Sequence, residues 1–110
     1  MTLEAILTQL GYADNHSLHA QMQSIIDNTN GFDKIAKHIV DLHLELKAHD
    51  AHISLSNSVD HLKIKSESEF EKERQEVRDR INSWSQKYKI ELQKVDGKET
   101  YYILGFKKAL

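Results

Sequence analysis

The stretch KHIVDLHLELKAHDAH, residues 37–52, contains four histidines and three carboxylates in sixteen residues. Side chains three or four positions apart lie on one face of a helix, so Glu45, His49 and His52 would converge there. Zn²⁺ and Ni²⁺ accept imidazole and carboxylate ligands in proteins. The spacing therefore indicates a candidate metal site built from these three residues, with Asp41 as the next ligand.

A polar seam is the simpler interpretation of the same histidines. At about 100° per residue, residues 33–55 separate into apolar stripes with polar seams between them. Histidines in such a seam commonly hydrogen-bond to neighbouring carboxylates at the solvent edge of a packed helix. The HExxH arrangement of zinc proteases and the paired ExxH set of di-iron bundles are absent. We therefore favour a seam without a cofactor, with a response to pH between roughly 5 and 8 as a third interpretation.

The predicted helix over residues 33–55 carries two apolar stripes on nearly opposite sides. One stripe consists of Ile35, Ile39, Leu42, Leu46 and Ile53, and the other of Val40, Leu44, Ala48, Ala51 and Leu55. A helix that is apolar on two sides is packed on two sides. This helix is therefore the central helix of the domain, or one of its faces meets another chain.

Other segments predict three more helices and a short strand. Apolar spacing at i, i+3 and i+4 predicts a helix over residues 2–10 and a second helix that ends in residues 27–31. The alternation in DHLKIK, residues 60–65, predicts a strand. Ser66 and Glu69 match a capping box that opens a last helix. The stripe of this last helix is Phe70, Val77, Ile81, Trp84 and Tyr88.

The C-terminal part predicts a β-hairpin with Asp96 and Gly97 at its turn. A two-residue loop would pair Leu92 with Tyr101, Ile90 with Ile103, and Lys94 with Glu99, and Gly105 would mark a bulge. We therefore predict a helix-rich α+β fold with about four helices and a small antiparallel sheet, made of this hairpin and the strand before the last helix. We expect one domain over 1–110, with a helical part over 1–56 and a strand–helix–hairpin part over 60–110.

The composition excludes several classes of protein. The chain has no cysteine, so disulfides, thiolate metal sites and thiol catalysis are excluded. No apolar run approaches the roughly 18 residues of a membrane-spanning helix. The start, MTLEAILTQLGYAD, lacks the basic region of a signal peptide. We expect a cytoplasmic protein with no membrane partner.

Motifs for catalysis are missing as well. The sequence has no G-x-S-x-G elbow, and its four glycines are too dispersed for a phosphate-cradling loop. Most acidic residues fall on patterned exposed faces of helices, where paired carboxylates for acid–base chemistry cannot be identified. We therefore predict that the protein is not an enzyme.

Nucleic-acid association is the alternative function. Residues 61–110 hold twelve basic and nine acidic residues, and strand, helix and hairpin resemble the end of a winged-helix domain in outline. The basic residues that would touch phosphate are Arg78, Arg80, Lys87, Lys94 and Lys98. Against this, the same helix is rich in glutamate and, at about 23 residues, is too long for a typical helix-turn-helix pair.

Apolar surface favours protein–protein interaction. The near-heptad stripe of the last helix includes Trp84, and the outward face of the hairpin would carry Tyr102, Leu104 and Phe106. Both sets also have a core interpretation, in which the last strand folds back onto the helices. No motif resembles a known family. We predict a small non-enzymatic interaction module that self-associates, with nucleic-acid association as the alternative and His/carboxylate metal binding as the third.

Overall fold

The computed structural model describes residues 1–13 and 15–107 of the chain, and over these residues it contains four helices, one 3₁₀ turn and four strands. The predicted α+β class is confirmed, and the sheet has four strands where three were predicted. In chain order the elements are α1 (Leu3–Gln9), α2 (His16–Asp27), α3 (Phe32–Leu46), the 3₁₀ turn (Lys47–His49), β1 (Ala51–Leu55), β2 (Leu62–Ser66), α4 (Glu71–Tyr88), β3 (Ile90–Lys94) and β4 (Thr100–Phe106).

Side-chain caps set the starts of α1 and α2. Thr2 Oγ1 accepts a hydrogen bond from the Ala5 N–H at 3.1 Å, and Asn15 Oδ1 accepts one from the Leu18 N–H at 2.9 Å. Each bond satisfies an N–H group that has no partner within the helix. Gly11, with φ +90°, follows the end of α1. Both helices therefore lie close to the positions that their sequences predict.

The helix predicted over residues 33–55 is wrong in its second half. α3 ends at Leu46, the 3₁₀ turn follows, and Asp50 takes the left-handed conformation with φ +55°. β1 then buries Ala51, Ile53 and Leu55 on one side. These three residues share a face in a strand, which has a period of two, whereas the helical wheel divided them between both stripes. Pairing with β2 decides between the two patterns.

The four strands form an antiparallel sheet in the order β1-β2-β4-β3. Contacts of α2, α3 and α4 with the strands cover the face that carries the buried side chains of Ile53, Ile64 and Ile103. Every helix and strand contributes to the one apolar cluster on this side. The opposite face, here called the outer face, carries Lys63 and Tyr102, which are paired across β2 and β4. That face is polar and partly exposed.

The predicted pairs of the hairpin are wrong, although its place in the chain is confirmed. Leu92 pairs with Ile103, and Lys94 pairs with Tyr101. The N–H of Val95 donates to the carbonyl of residue 100 at 2.9 Å, so the loop comprises four residues, 96–99, instead of two. The pairing shifts by one residue between Leu92 and Glu91, which lies opposite Gly105. The bulge expected at this glycine is present.

α4 begins later than the capping box predicted. Ser66 ends β2, and the helix starts at Glu71 with Phe70 in an extended conformation before it. The predicted stripe is buried at Val77, Ile81 and Trp84. Phe70 lies outside the helix and is exposed, so it does not belong to the core stripe.

Candidate functional site

The structure separates the three residues of the predicted metal site. Glu45, in α3, accepts a hydrogen bond from the Arg80 guanidinium. His49 lies in the 3₁₀ turn, with Nδ1 3.0 Å from Glu73 Oε1, and His52 lies in β1. In the part of the chain that the structure describes, no group of three His, Asp or Glu side chains is arranged to hold a metal ion. The predicted trio is wrong because it required a helix that continues to residue 55.

His43, another of these histidines, is buried and structural. The residue is 3% exposed, and Nδ1 accepts a hydrogen bond from the Ile53 N–H at 3.0 Å. The bond joins α3 to β1 and requires Nδ1 without a proton. Burial lowers the pKa of His43, and the charges of Lys47 and His52 act in the same direction. The folded protein therefore holds this imidazole neutral.

Stability is expected to fall as pH drops below about 6.5, the ordinary pKa of His43. Below this pH, His43 binds a proton in the unfolded chain but not in the folded chain, until the pH falls to the lowered pKa of the folded state. One such proton changes the unfolding free energy by at most about 1.4 kcal/mol per pH unit. Urea denaturation between pH 5 and 8 should show this slope reduced in His43→Gln. The control is His16→Gln, which removes an exposed histidine. Parallel curves for wild type and His43→Gln would contradict the assignment.

Two of the four predicted interaction residues are in or against the core. Trp84 is 7% exposed, and its Nε1–H donates to the His38 carbonyl at 2.9 Å. Phe106 packs against the apolar cluster and has the Lys34 Nζ 5.2 Å from its ring centroid. Tyr102 and Leu104 also lie in β4 but remain partly exposed. The last strand is thus folded back onto the helices at Phe106.

Acidic side chains within the chain already bind both arginines of the predicted nucleic-acid surface. Arg78 donates to Glu71 and, at 2.6 Å, to Glu99 Oε1. Arg80 donates to two further carboxylates on α3 and α4. Hydrogen bonds from Arg78 and then Arg74 lower the pKa of the Glu71 carboxyl, as expected for a tightly paired group. In the structure both guanidinium groups are thus engaged by carboxylates of the same chain.

The three predicted lysines of that surface lie on different elements: Lys87 in α4, Lys94 in β3 and Lys98 in the β3–β4 loop. The Lys87 Nζ lies 5.4 Å from the ring centroid of Tyr88. The Lys94 Nζ donates to the backbone carbonyls of Val95, at 3.1 Å, and Lys98. Lys98 lines a groove on the outer face of the sheet, and among the described residues no carboxylate lies within ion-pair distance of its Nζ.

A groove that the sequence did not indicate lies between the 3₁₀ turn and the start of α4. It encloses about 950 Å³. We call it the α4 groove, and it is lined by Ala48, His49, Asp50, Glu67, Ser68, Glu69, Phe70, Lys72, Glu73 and Glu76. Five of these side chains are carboxylates and one is a lysine. Glu67, Glu73 and Glu76 are paired with Lys65, His49 and Arg80, so in the described part of the chain the unpaired negative charge of the groove is at Asp50 and Glu69.

Phe70 is the apolar element of the α4 groove. At 75% it is the most exposed large apolar side chain in residues 1–13 and 15–107. Full burial of a phenylalanine side chain stabilises a fold or a complex by about 1.5–3 kcal/mol. Phe70 makes little of this contribution within the chain itself. An aromatic side chain held in water beside a groove is typical of an interaction surface.

Hydrogen bonds fix the walls of the α4 groove. Ser68 Oγ accepts from the Phe70 N–H at 3.1 Å, and the Ser68 carbonyl accepts from Arg74 at the same distance. On the opposite wall, the Glu67 N–H donates to the Asp50 carbonyl at 2.9 Å. The backbone of the segment before α4 is thus tied to α4 through Arg74 and to Asp50, which lies between the 3₁₀ turn and β1.

One feature of the sequence could have indicated this surface. Helical neighbours of Phe70 at i+3 and i+4 are Glu73 and Arg74, both charged. An aromatic residue without apolar neighbours on its face has no stripe to join. Phe70 lies seven residues before Val77, and this near-heptad spacing placed it in the predicted apolar stripe of the last helix.

No family model, no curated protein and no solved structure matches the chain. None of the described helices is long and apolar enough to cross a membrane. The chain is thus an α+β protein with helices on one face of its sheet and an acidic groove beside an exposed aromatic ring.

Proposed function

We propose that the protein is a non-enzymatic protein–protein interaction module whose α4 groove binds a basic and apolar segment of another protein. The observation that carries this proposal is Phe70, which is 75% exposed and lines this groove. The ring supplies the apolar contact, and such aromatic anchors provide much of the binding energy at protein interfaces.

The charge of the α4 groove selects the chemistry of the partner. Glu67 is paired with Lys65, Glu73 with His49 and Glu76 with Arg80, whereas Glu69 has no ion pair among the described residues. Carboxylates that line a groove attract lysine and arginine side chains and repel acidic segments. A segment in which one apolar residue is flanked by arginines would meet both features at once.

A second copy of this chain is a weaker candidate for the partner. The sequence favours self-association through the two apolar stripes of the helix predicted over residues 33–55 and through the near-heptad stripe of the last helix. In the structure the members of the second stripe are buried in the same chain at Val40, Ala51 and Leu55. Leu44, 49% exposed, is its exposed large member. Light scattering of the chain at roughly 50 μM measures this directly, because even a micromolar dimer is populated there.

Phe70→Ser is expected to weaken binding of a basic apolar peptide by at least about tenfold. The probe is a fluorescein-labelled peptide of roughly twelve residues that alternates leucine and arginine, and anisotropy measures its binding. Glu69→Lys should weaken binding as well, and added salt should reduce the charge-dependent part. Both substituted side chains are exposed, so the fold should be retained.

Matched controls distinguish peptide binding at this site from non-specific binding elsewhere on the surface. Leu44→Ser removes an exposed apolar side chain outside the groove, and Glu91→Lys reverses an exposed charge on β3. Neither should alter the affinity. Peptides with leucine replaced by serine, or arginine by glutamate, should bind weakly. Equal losses in Phe70→Ser and Leu44→Ser, or no binding of the basic peptide, would refute the proposal.

A further inference from the structure

Three hydroxyl groups form a chain at one end of the outer face of the sheet. Ser56 Oγ lies 3.2 Å from Ser58 Oγ, which lies 3.4 Å from Tyr102 Oη. Ser56 Oγ also accepts from the N–H groups of residues 58 and 59. Because these bonds occupy its lone pairs, they favour the arrangement in which Ser56 donates to Ser58 and Ser58 donates to Tyr102. The phenol is then free to donate into the groove beside it. We call these residues the hydroxyl cluster.

Two lysines accompany the hydroxyl cluster. Lys63 is the cross-strand partner of Tyr102, and Lys98 lies in the β3–β4 loop. Across residues 1–13 and 15–107, neither ammonium group has a carboxylate within ion-pair distance. The pKa of Tyr102 is lowered, first by the Ser58 hydrogen bond and less strongly by both lysines. Both lysines line the same groove as Tyr102, and Lys63 lies directly beside it across β2 and β4.

The groove that contains this cluster, about 630 Å³ in volume, has a positive end and a neutralised end. Its three carboxylates are each paired with a cation. The pairs are Glu67 with Lys65, Glu71 with Arg74, and Glu99 with Arg78. Excess positive charge therefore remains only where Lys63 and Lys98 meet the hydroxyl cluster.

We propose that the hydroxyl cluster, together with Lys63 and Lys98, binds the phosphate of a small phosphomonoester. A phosphate carries nearly two negative charges and three acceptor oxygens, which match two ammonium groups and a free phenol donor. The groove volume is in the range of small-molecule sites. A nucleic-acid backbone laid along the whole groove would also meet the carboxylates at the other end. This favours a compact ligand over a polyanion.

Calorimetric titration of the full chain with inorganic phosphate, ribose 5-phosphate and AMP tests the proposal. Lys63→Gln is expected to weaken binding about tenfold, since it removes one charge-assisted hydrogen bond. Tyr102→Phe removes only the phenol and should weaken binding roughly threefold to tenfold. If inorganic phosphate binds as tightly as the larger compounds, only the phosphate is recognised. If ribose 5-phosphate or AMP binds more tightly, the sugar or the base is recognised as well. Each of these results supports the site.

Lys37→Gln is the matched control, because it removes the same charge from an exposed position on α3. Thermal melts of all variants establish that they are folded. The proposal is overturned if no phosphate compound gives heat at millimolar concentration, or if Lys37→Gln weakens binding as much as Lys63→Gln. Binding of an oligothymidylate without binding of AMP would also overturn it. The peptide experiment on the α4 groove is independent of all these outcomes.

Discussion

Gly105→Ala is expected to destabilise the protein by about 3 kcal/mol. A Cβ at this position would lie 2.6 Å from the backbone nitrogen of Asn30 and 2.7 Å from its carbonyl oxygen. Gly105 also has φ +143°, a conformation that residues with a side chain rarely adopt. The Phe106 N–H donates to the same carbonyl at 2.7 Å, so β4 cannot move away without losing its connection to the α2–α3 turn.

Urea denaturation followed by circular dichroism measures this loss. Gly97→Ala is the control, because Gly97 has φ +74° but nothing within 4 Å of an added Cβ. It should cost only the backbone strain of a left-handed residue, about 1–2 kcal/mol. Equal losses for the two variants would show that the contact with Asn30 relaxes easily.

Trp84→Ala is expected to destabilise the protein by about 3–5 kcal/mol, the usual cost of removing a buried aromatic side chain. Trp84 shares the core cluster with Val77 and Ile81 and has a hydrogen-bond partner in the His38 carbonyl. Trp84→Phe should cost less, because it keeps most of the apolar volume and loses mainly the indole N–H bond. The folded Trp84→Phe protein should bind the basic peptide normally, since Trp84 does not line the α4 groove.

The two measurements distinguish a core residue from an interaction residue. Circular dichroism reports unfolding without the indole, which is the only tryptophan of the chain. Phe70→Ser, directly before α4, is the control. Because Phe70 is 75% exposed, this substitution should lower the unfolding free energy by no more than about 0.5 kcal/mol. If Trp84→Ala kept wild-type stability but lost peptide binding, the placement of Trp84 in the core would be wrong.

Local features of the sequence determined the helices and the place of the hairpin. Apolar spacing and the capping residues Thr2 and Asn15 give the first two helices within a few residues, because both effects act inside one segment. The bulge beside Gly105 was predictable for a similar reason, since a glycine interrupts the alternation. The histidine spacing could not decide between a polar seam and a metal site, because the candidate ligands Glu45, His49 and His52 lie on three different elements.

Tertiary structure alone decided the end of α3, the strand register and the two candidate surfaces. Residues 51–55 fit a helix and a strand about equally well, and pairing with β2 selects the strand. The hairpin register depends on the length of a loop whose turn residues also fit a shorter one. The α4 groove and the hydroxyl cluster each combine segments that are distant in the chain, such as Ser58 and Tyr102. No periodic pattern within one segment can reveal such contacts, because packing between segments creates them.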